Sequence, residues 1–437
     1  MTEIVLDAIA VLLLLVSVNL PWSALSLGSH LLYAVLTVAW AVIWLLLPYA
    51  QRAGLLRLPA ALNGPLVRLL AAAPLVISAL VVVIFDLATN PVTAQMDAAG
   101  RVGVGAGVLL ALTAALLIAR ITNKLVALVL SAVVLVLAVL TFVLPATEDR
   151  IPGMFVWFAV MTFLALLVII VTTVVRYFVQ GDLAGGLLLV LAGGALALLG
   201  AVLGYTWIGN VWFGEITFMW IPVLAAVAAP KVLEDFAKET ARGRVWARTS
   251  NLAALTLAGV ALFSVAGTHL VLLVSDDRRF MNIPTIGPVL GLIFGLLIAA
   301  GAVFALISLS NNFAAGRRLA LAVAGGSFVL GLILVIREAG LTTETMDGTV
   351  LVALVLPAVI VASLLVPPAM GPLADGSQPS AAALFGADTN FANPFEGLTK
   401  PQAPAQATAA AAPVQAAQQP VVPQPAAQQP DAQAPQQ

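Results

Sequence analysis

The chain has 437 residues, of which 62% are hydrophobic and 9% charged, with a formal net charge of −1 and no cysteine. Soluble domains carry roughly 45–50% apolar and about 25% charged residues, so this is not the composition of one. Disulfides, thiolate metal sites and a cysteine nucleophile are excluded, and a near-neutral charge implies no nucleic-acid partner.

Apolar runs recur that are long enough for helices of about 20 residues, the length that crosses about 30 Å of hydrocarbon. Backbone groups in lipid must be satisfied within their own segment, which selects helices, and the alternation of barrel strands is missing. The sequence predicts an all-α fold: a polytopic transmembrane helix bundle over 1–368, then a disordered Ala/Pro/Gln-rich tail over 369–437. Twelve spans are expected, near 4–20, 30–49, 66–85, 102–120, 125–144, 154–175, 183–205, 211–229, 252–274, 286–308, 319–336 and 350–366. The start, Met1 to Asp7, has no basic region and carries Glu3 and Asp7, so no cleavable signal peptide is expected.

Basic residues set the orientation. Thirteen lie at one set of span ends: Arg52, Arg57, Arg68, Arg120, Lys124, Arg176, Lys231, Lys238, Arg242, Arg244, Arg248, Arg317 and Arg318. Five lie at the other: Arg101, Arg150, Arg278, Arg279 and Arg337. The richer set is read as cytoplasmic. With twelve spans both termini are then cytoplasmic, in a cell (plasma) membrane protein. The outer loops are acidic instead, with Asp86, Asp97, Glu148, Asp149, Asp276, Asp277, Glu344 and Asp347. Trp22, Trp157, Trp207 and Trp212 fall where an outer aromatic belt would lie.

The longest charged run is 230–251, with Lys231, Lys238, Arg242, Arg244 and Arg248. It reads as a cytoplasmic interfacial helix that Gly243 breaks, with basic residues near anionic headgroups. Pro74, Pro222 and Pro357 are expected to kink their spans.

Ionisable residues avoid the bilayer centre. Asp7, Arg68 and Glu215 sit only in the first turns of their spans, which disfavours a buried carboxylate relay. The two histidines share a local pattern, Gly28-Ser29-His30-Leu31 and Gly267-Thr268-His269-Leu270, both at the outer side. With Glu215 they are the candidates for proton exchange, set against the plainer reading of locally hydrogen-bonded side chains. Gly193-Gly194 and Gly325-Gly326 fall near the middle of two parallel spans and are candidates for a substrate path, or for close helix packing. Gly287, Gly291 and Gly295 form a small-residue run that reads as tight helix packing. Gly103 to Gly107 follows no strand and gives no nucleotide motif.

The tail repeats Ala-Ala-Gln-Gln-Pro and has too little apolar surface to offset its ordering entropy. Phe385, Phe391 and Phe395 interrupt it and form a candidate docking motif for a cytoplasmic protein partner.

Twelve spans with both ends inside is the plan of the major facilitator class, but the Gly-x-x-x-Asp-Arg-x-Gly-Arg motif of that class has no match. Gln51 to Arg57 stands there without an aspartate. A membrane glycosyltransferase would need acidic residues in the first outer loop, and 21–29 has none. No metal motif, cofactor motif or catalytic residue is found, so an enzyme is not expected. The first span, Leu6-Asp7-Ala8 through Leu20-Pro21-Trp22, together with the Ala/Val/Leu/Gly-rich bundle and the tail, resembles uncharacterised actinobacterial multi-spanning membrane proteins. That resemblance implies the architecture and no activity. Two functions remain: a transporter or flippase-like carrier of an apolar or amphiphilic envelope molecule, and a structural scaffold whose tail recruits a partner. In both, the lipid bilayer is the first partner.

Overall fold

The computed structural model describes residues 2–20, 22, 30–56, 65–89, 104–146, 153–203, 208–209, 218, 220–240, 242–275, 285–338 and 349–365. Among the described residues the regular structure is helical apart from one two-residue strand pair. In chain order the helices are α1 (Thr2–Val18), α2 (His30–Arg52), α3 (Pro65–Thr89), α4 (Ala106–Ala119), α5 (Lys124–Ala146) and α6 (Gly153–Ile170). They continue with α7 (Leu183–Leu203), α8 (Trp220–Lys238), α9 (Arg242–Val260), α10 (Thr268–Val274), α11 (Ile286–Asn311), α12 (Phe313–Glu338) and α13 (Leu356–Leu365). Three π-helical segments interrupt the α geometry: Val171–Val179 after α6, Ala261–Gly267 between α9 and α10, and Leu351–Val355 before α13.

Seven of the described helical segments are long and apolar enough to cross a membrane. The expected count of twelve includes shorter elements, and α4 shows why they differ. At 14 residues it is about 21 Å long, below the hydrocarbon thickness. It is apolar all round, and Val108 to Leu117 are buried on every face. It packs against α1, α3 and α8 and is an interior helix. α8 is its counterpart, with Trp220 to Pro230 buried and α4, α5 and α7 packed around it. The two interior helices touch, with α1, α2 and α3 grouped beside α4, α5 against α8, and α6, α7, α9, α10, α11, α12 and α13 forming a second group that meets α8 through α7.

Two expectations change at α8. Its described helix, 220–238, runs past the expected end at 229, with 211–217 outside the described residues, and 230–251 is not a helix of its own. Residues 230–238 prolong α8, and 242–251 open α9. Pro230 does not stop the helix, because the two turns beyond it have partners of their own. Lys231 pairs with Asp235 at 2.7 Å and Glu234 with Lys238. The exposed last carbonyls are then capped by a cation: Arg242 donates to Ala237 O at 2.6 Å and to Glu239 O at 3.2 Å. The chain reverses at Glu239 and Thr240, so Gly243 lies inside the first turn of α9 and breaks nothing. Pro222 likewise sits in the first turn of α8, where a missing N–H is harmless, whereas Pro357 lies just past the π segment Leu351–Val355, inside one continuous helical run.

Strands β1 (Val104–Gly105) and β2 (Ile208–Gly209) pair antiparallel. Gly105 N–H also donates to Trp22 O at 3.1 Å. Trp22, expected in a lipid-facing belt, is instead buried: its indole N–H donates to Ser17 O at 2.8 Å and its ring meets Tyr33 edge-on. A Cβ on Gly107 would lie 2.7 Å from that indole, so glycine allows α4 to start directly beneath it. Trp157 is exposed.

Each π segment has a glycine on the helix beside it. Gly185 and Gly186 of α7 lie on Val171–Val179, where a Cβ would come within 2.9 Å of Arg176 and 2.6 Å of Tyr177. A Cβ on Gly295 of α11 would lie 2.6 Å from Ala266 N, and one on Gly331 of α12 would overlap Ala353. A π turn is wider than an α turn, and the neighbour accommodates it by having no side chain. In lipid such van der Waals fit takes the place of a hydrophobic drive.

Candidate functional site

Two polar constellations stand out in the apolar bundle. The first joins the basic ends of α1 to α4. Asp7, 5% exposed, lies in the second turn of α1. Tyr49, in the last turn of α2, donates to Asp7 Oδ2 at 2.6 Å. Arg68, in the first turn of α3, forks onto both oxygens, at 3.0 and 3.3 Å. Arg120 caps α4 and donates to Asp7 Oδ1 at 2.9 Å and to Glu3 O at 2.7 Å. Arg120 also pairs with the Glu3 carboxylate at 3.1 Å. The carboxylate of Asp7 thus accepts from three side chains on three helices. Among the described residues Arg120 is the only non-glycine with positive φ, at 47°. That left-handed geometry costs about 1–2 kcal/mol, and it turns the side chain back onto α1.

Sequence reading placed Asp7 and Arg68 at span ends but did not pair them, and it singled out neither Tyr49 nor the reach of Arg120. The available signal was depth: with helices alternating in direction, the start of span 1, the end of span 2, the start of span 3 and the end of span 4 share one level. A second cluster lies at the same end. Asp182 caps the start of α7 through Ala184 N–H at 3.2 Å and faces Arg176 and Arg248 at 3.6 and 3.7 Å. Tyr177 donates to Asp235 at 3.3 Å, and Lys124, four residues after Arg120, lies over the Tyr177 ring.

The second constellation runs along one helix. From Arg242 to Val274 the chain is helical for 33 residues, through α9, a π segment and α10. It carries buried Thr249, Ser250, Thr256, Ser264, Thr268 and His269. Thr249, Thr256 and Thr268 each donate to the carbonyl four residues back, at 2.7–2.8 Å. The Thr256 and Thr172 hydroxyls lie 2.9 Å apart, bridging to the π segment after α6, and Ser250 and Ser363 lie 2.8 Å apart, bridging to α13. The His269 Nδ1 is 2.7 Å from Val265 O, so Nδ1 carries the proton. The other edge of the ring lies over Gly291, where a Cβ would overlap it. Among the described residues the charges on this helix, Arg242, Arg244 and Arg248, are confined to its basic end.

The candidates from sequence are distributed as follows. Gly193 packs on α8, where a Cβ would overlap that of Ala225, while Gly194, Gly325 and Gly326 have no atom within 4 Å of a Cβ position. Gly287, in the first turn of α11, is buried, and Gly291 and Gly295 face His269 and Ala266. α13 packs against both α7 and α12, the helices of the two glycine pairs. Glu215, the side chain of His30, the tail and its Phe385, Phe391 and Phe395 lie outside the described residues. Among the described residues no three His, Asp or Glu side chains are grouped to hold a metal ion.

A family model described as a domain of unknown function, DUF7937, matches residues 3–371. The chain belongs to the DUF7937 family. The match takes in all thirteen helices and both constellations and stops before most of the tail, so the family is defined by the membrane bundle. No curated protein and no solved structure matches the chain.

Proposed function

We propose that this DUF7937 protein is a carrier of an apolar or amphiphilic cell-envelope molecule, embedded in the plasma membrane with both termini in the cytoplasm, and not an enzyme. The observation that carries the reading is the helix of residues 242–274: five hydroxyls and one imidazole lie buried along it between 249 and 269, and its charges stay at one end. A neutral polar lining suits a molecule with a weakly polar head and an apolar body, and it offers nothing to an ion that must shed water. The π segment after α6, tied through Thr172 to Thr256 of α9, and the π segment 261–267 of this helix supply backbone whose hydrogen bonding can shift register.

The test is translocation in vesicles. Reconstituted protein should move fluorescent phospholipid, diacylglycerol or polyprenol probes between leaflets, read by dithionite quenching of the outer leaflet. Quenching beyond the protein-free plateau is expected with at least one probe. It should slow in the pair Thr172→Val, Thr256→Val. A protein-free plateau with all three probes would remove the carrier reading.

The scaffold reading has its own support, the closure of helix contacts at Gly193, Gly295 and Gly331, where even a methyl group would overlap its neighbour. In that reading the tail recruits a cytoplasmic protein through Phe385, Phe391 and Phe395. Deleting 376–437 separates the two: a carrier keeps its translocation, and a scaffold loses its partner.

A further inference from the structure

The charges around Asp7 do not balance. Asp7 and Glu3 face three guanidinium groups, those of Arg68, Arg120 and Arg52. Arg52 ends α2, is exposed, and lies over the Tyr49 ring at 5.8 Å. One positive charge is left over at the mouth of a group whose interior is otherwise apolar. The two carboxylates also differ in kind. Asp7 is locked behind its three donors, whereas Glu3 is 62% exposed and makes a single ion pair, with Arg120. Arg120 has a buried Nε with no hydrogen-bond partner. An exposed glutamate on a half-satisfied arginine is a contact that another anion can replace at small cost, since exposed ion pairs are worth only about 0.2–1 kcal/mol. The neighbouring surface is apolar and uncovered: Ile4 and Val5 on α1, Leu55 and Leu56 after α2, and Leu66 and Leu69 on α3 are all exposed. Cations at the edge of such a surface present a charged group and a greasy one to the same visitor.

We propose that the Arg52–Arg68–Arg120 cluster is a binding site for the phosphate group of an anionic amphiphile, with Glu3 as the internal anion that it displaces. The phosphate pairs with Arg120 and Arg52, Arg68 stays on Asp7, and the acyl chains lie along Ile4, Val5 and Leu69. Asp7 holds Arg120 in place throughout, so the site persists whether occupied or not. A guanidinium fork matches phosphate oxygens as well as it matches the carboxylate of Asp7. The proposal does not rest on the carrier reading, because a bound lipid stabilises a scaffold equally well.

The test uses the full chain in detergent with phosphatidylglycerol or phosphatidylcholine, and native mass spectrometry to count retained lipid. Phosphatidylglycerol should be retained over phosphatidylcholine. Glu3→Gln should strengthen that preference by roughly 1.5- to 5-fold, the worth of one exposed ion pair. Arg52→Gln should weaken it by a similar factor. Neither residue is buried, so both variants should melt close to wild type without added lipid. Millimolar inorganic phosphate distinguishes the sources: failure to displace phosphatidylglycerol assigns the site to a lipid headgroup, and displacement assigns it to a soluble phosphate. Both outcomes support a phosphate site. Equal retention of the two lipids, or a Glu3→Gln variant that binds as wild type, would overturn it.

Discussion

Helices α1 to α4, packed around α4, are also tied at one end by a single buried carboxylate and its three donors, whereas α6 to α13 rely mainly on glycines, alanines and hydroxyls along their length. The difference follows from depth. Near the helix ends a charge can be paired and partly solvated, so Asp7, Arg68 and Arg120 tie three helices with short directional bonds. Toward the middle a charge is costly, and close backbone approach replaces it, with a hydroxyl pair such as Thr172–Thr256 adding a neutral bond. One half is therefore pinned at a point and the other is fitted along a surface. These two kinds of contact should fail differently.

The largest effect is expected at the pin. Asp7→Ala leaves two part-buried guanidinium groups and the Tyr49 hydroxyl without their shared acceptor, and breaking a fully buried pair, the upper bound here, costs about 3–5 kcal/mol. A drop in melting temperature well beyond that of any other single variant here is expected by fluorescence-detected size exclusion. The triple change Asp7→Leu, Arg68→Met, Arg120→Met should recover most of it, because the cost lies in the orphaned charge. A mild Asp7→Ala would mean that the two halves are not held differently.

Next come the fitted contacts. Gly295→Leu must push α11 from Ala266, and overpacking of this kind costs about 1–3 kcal/mol. Gly325→Ala, with open space around it, should stay within about 0.5 kcal/mol. The pair Gly193→Ala and Gly194→Ala gives the same contrast between adjacent residues: the first overlaps Ala225 and the second meets nothing. Equal melting temperatures for Gly193→Ala and Gly194→Ala would remove the packing argument. Smaller still is Thr256→Val, which forfeits one interhelical hydroxyl bond worth about 0.6 kcal/mol in a membrane, on the same thermal assay.

Sequence patterns made the helices legible and left their partners obscure. Continuous apolar runs mark a helix whether it faces lipid or protein, so α4 reads as a span although its 14 residues are enclosed on all sides. The charged run 230–251 reads as an interfacial helix of its own, yet 230–238 prolong α8, whose last turns are held by the i,i+4 pairs Lys231–Asp235 and Glu234–Lys238 and by Arg242 on the final carbonyls. Trp22 matches a belt by position and is buried by a contact with Ser17 and Gly107 that no periodicity encodes. The glycine run of α11 is visible in sequence, but that its contacts are His269 and a π segment is not. Asp7 is the clearest case. A lone acid in the first turns of a span looks like a solvated end, and only the convergence of four helix ends makes it a hub.

The weakest effect sits at the rim of that hub and tests where the pin ends. Glu3 precedes the expected first span, and its hydrogen bond and charge contact with Arg120, with Arg68 and Arg52 beyond, hold its carboxyl below the ordinary value of 4.5. A lowered folded-state value means that the contribution is complete above the unfolded value and fades as pH falls through the folded one. Glu3 should thus add nothing pH-dependent at neutrality and should lose its part only below about pH 4.5. Because the side chain is 62% exposed, solvent screens most of it. The melting temperatures of wild type and Glu3→Gln should therefore run parallel from neutral pH to about 5 and converge slightly below. A divergence of the two curves near neutrality would place Glu3 inside the pin, beside Asp7, and would leave the Arg120 pair too strong to yield to another anion.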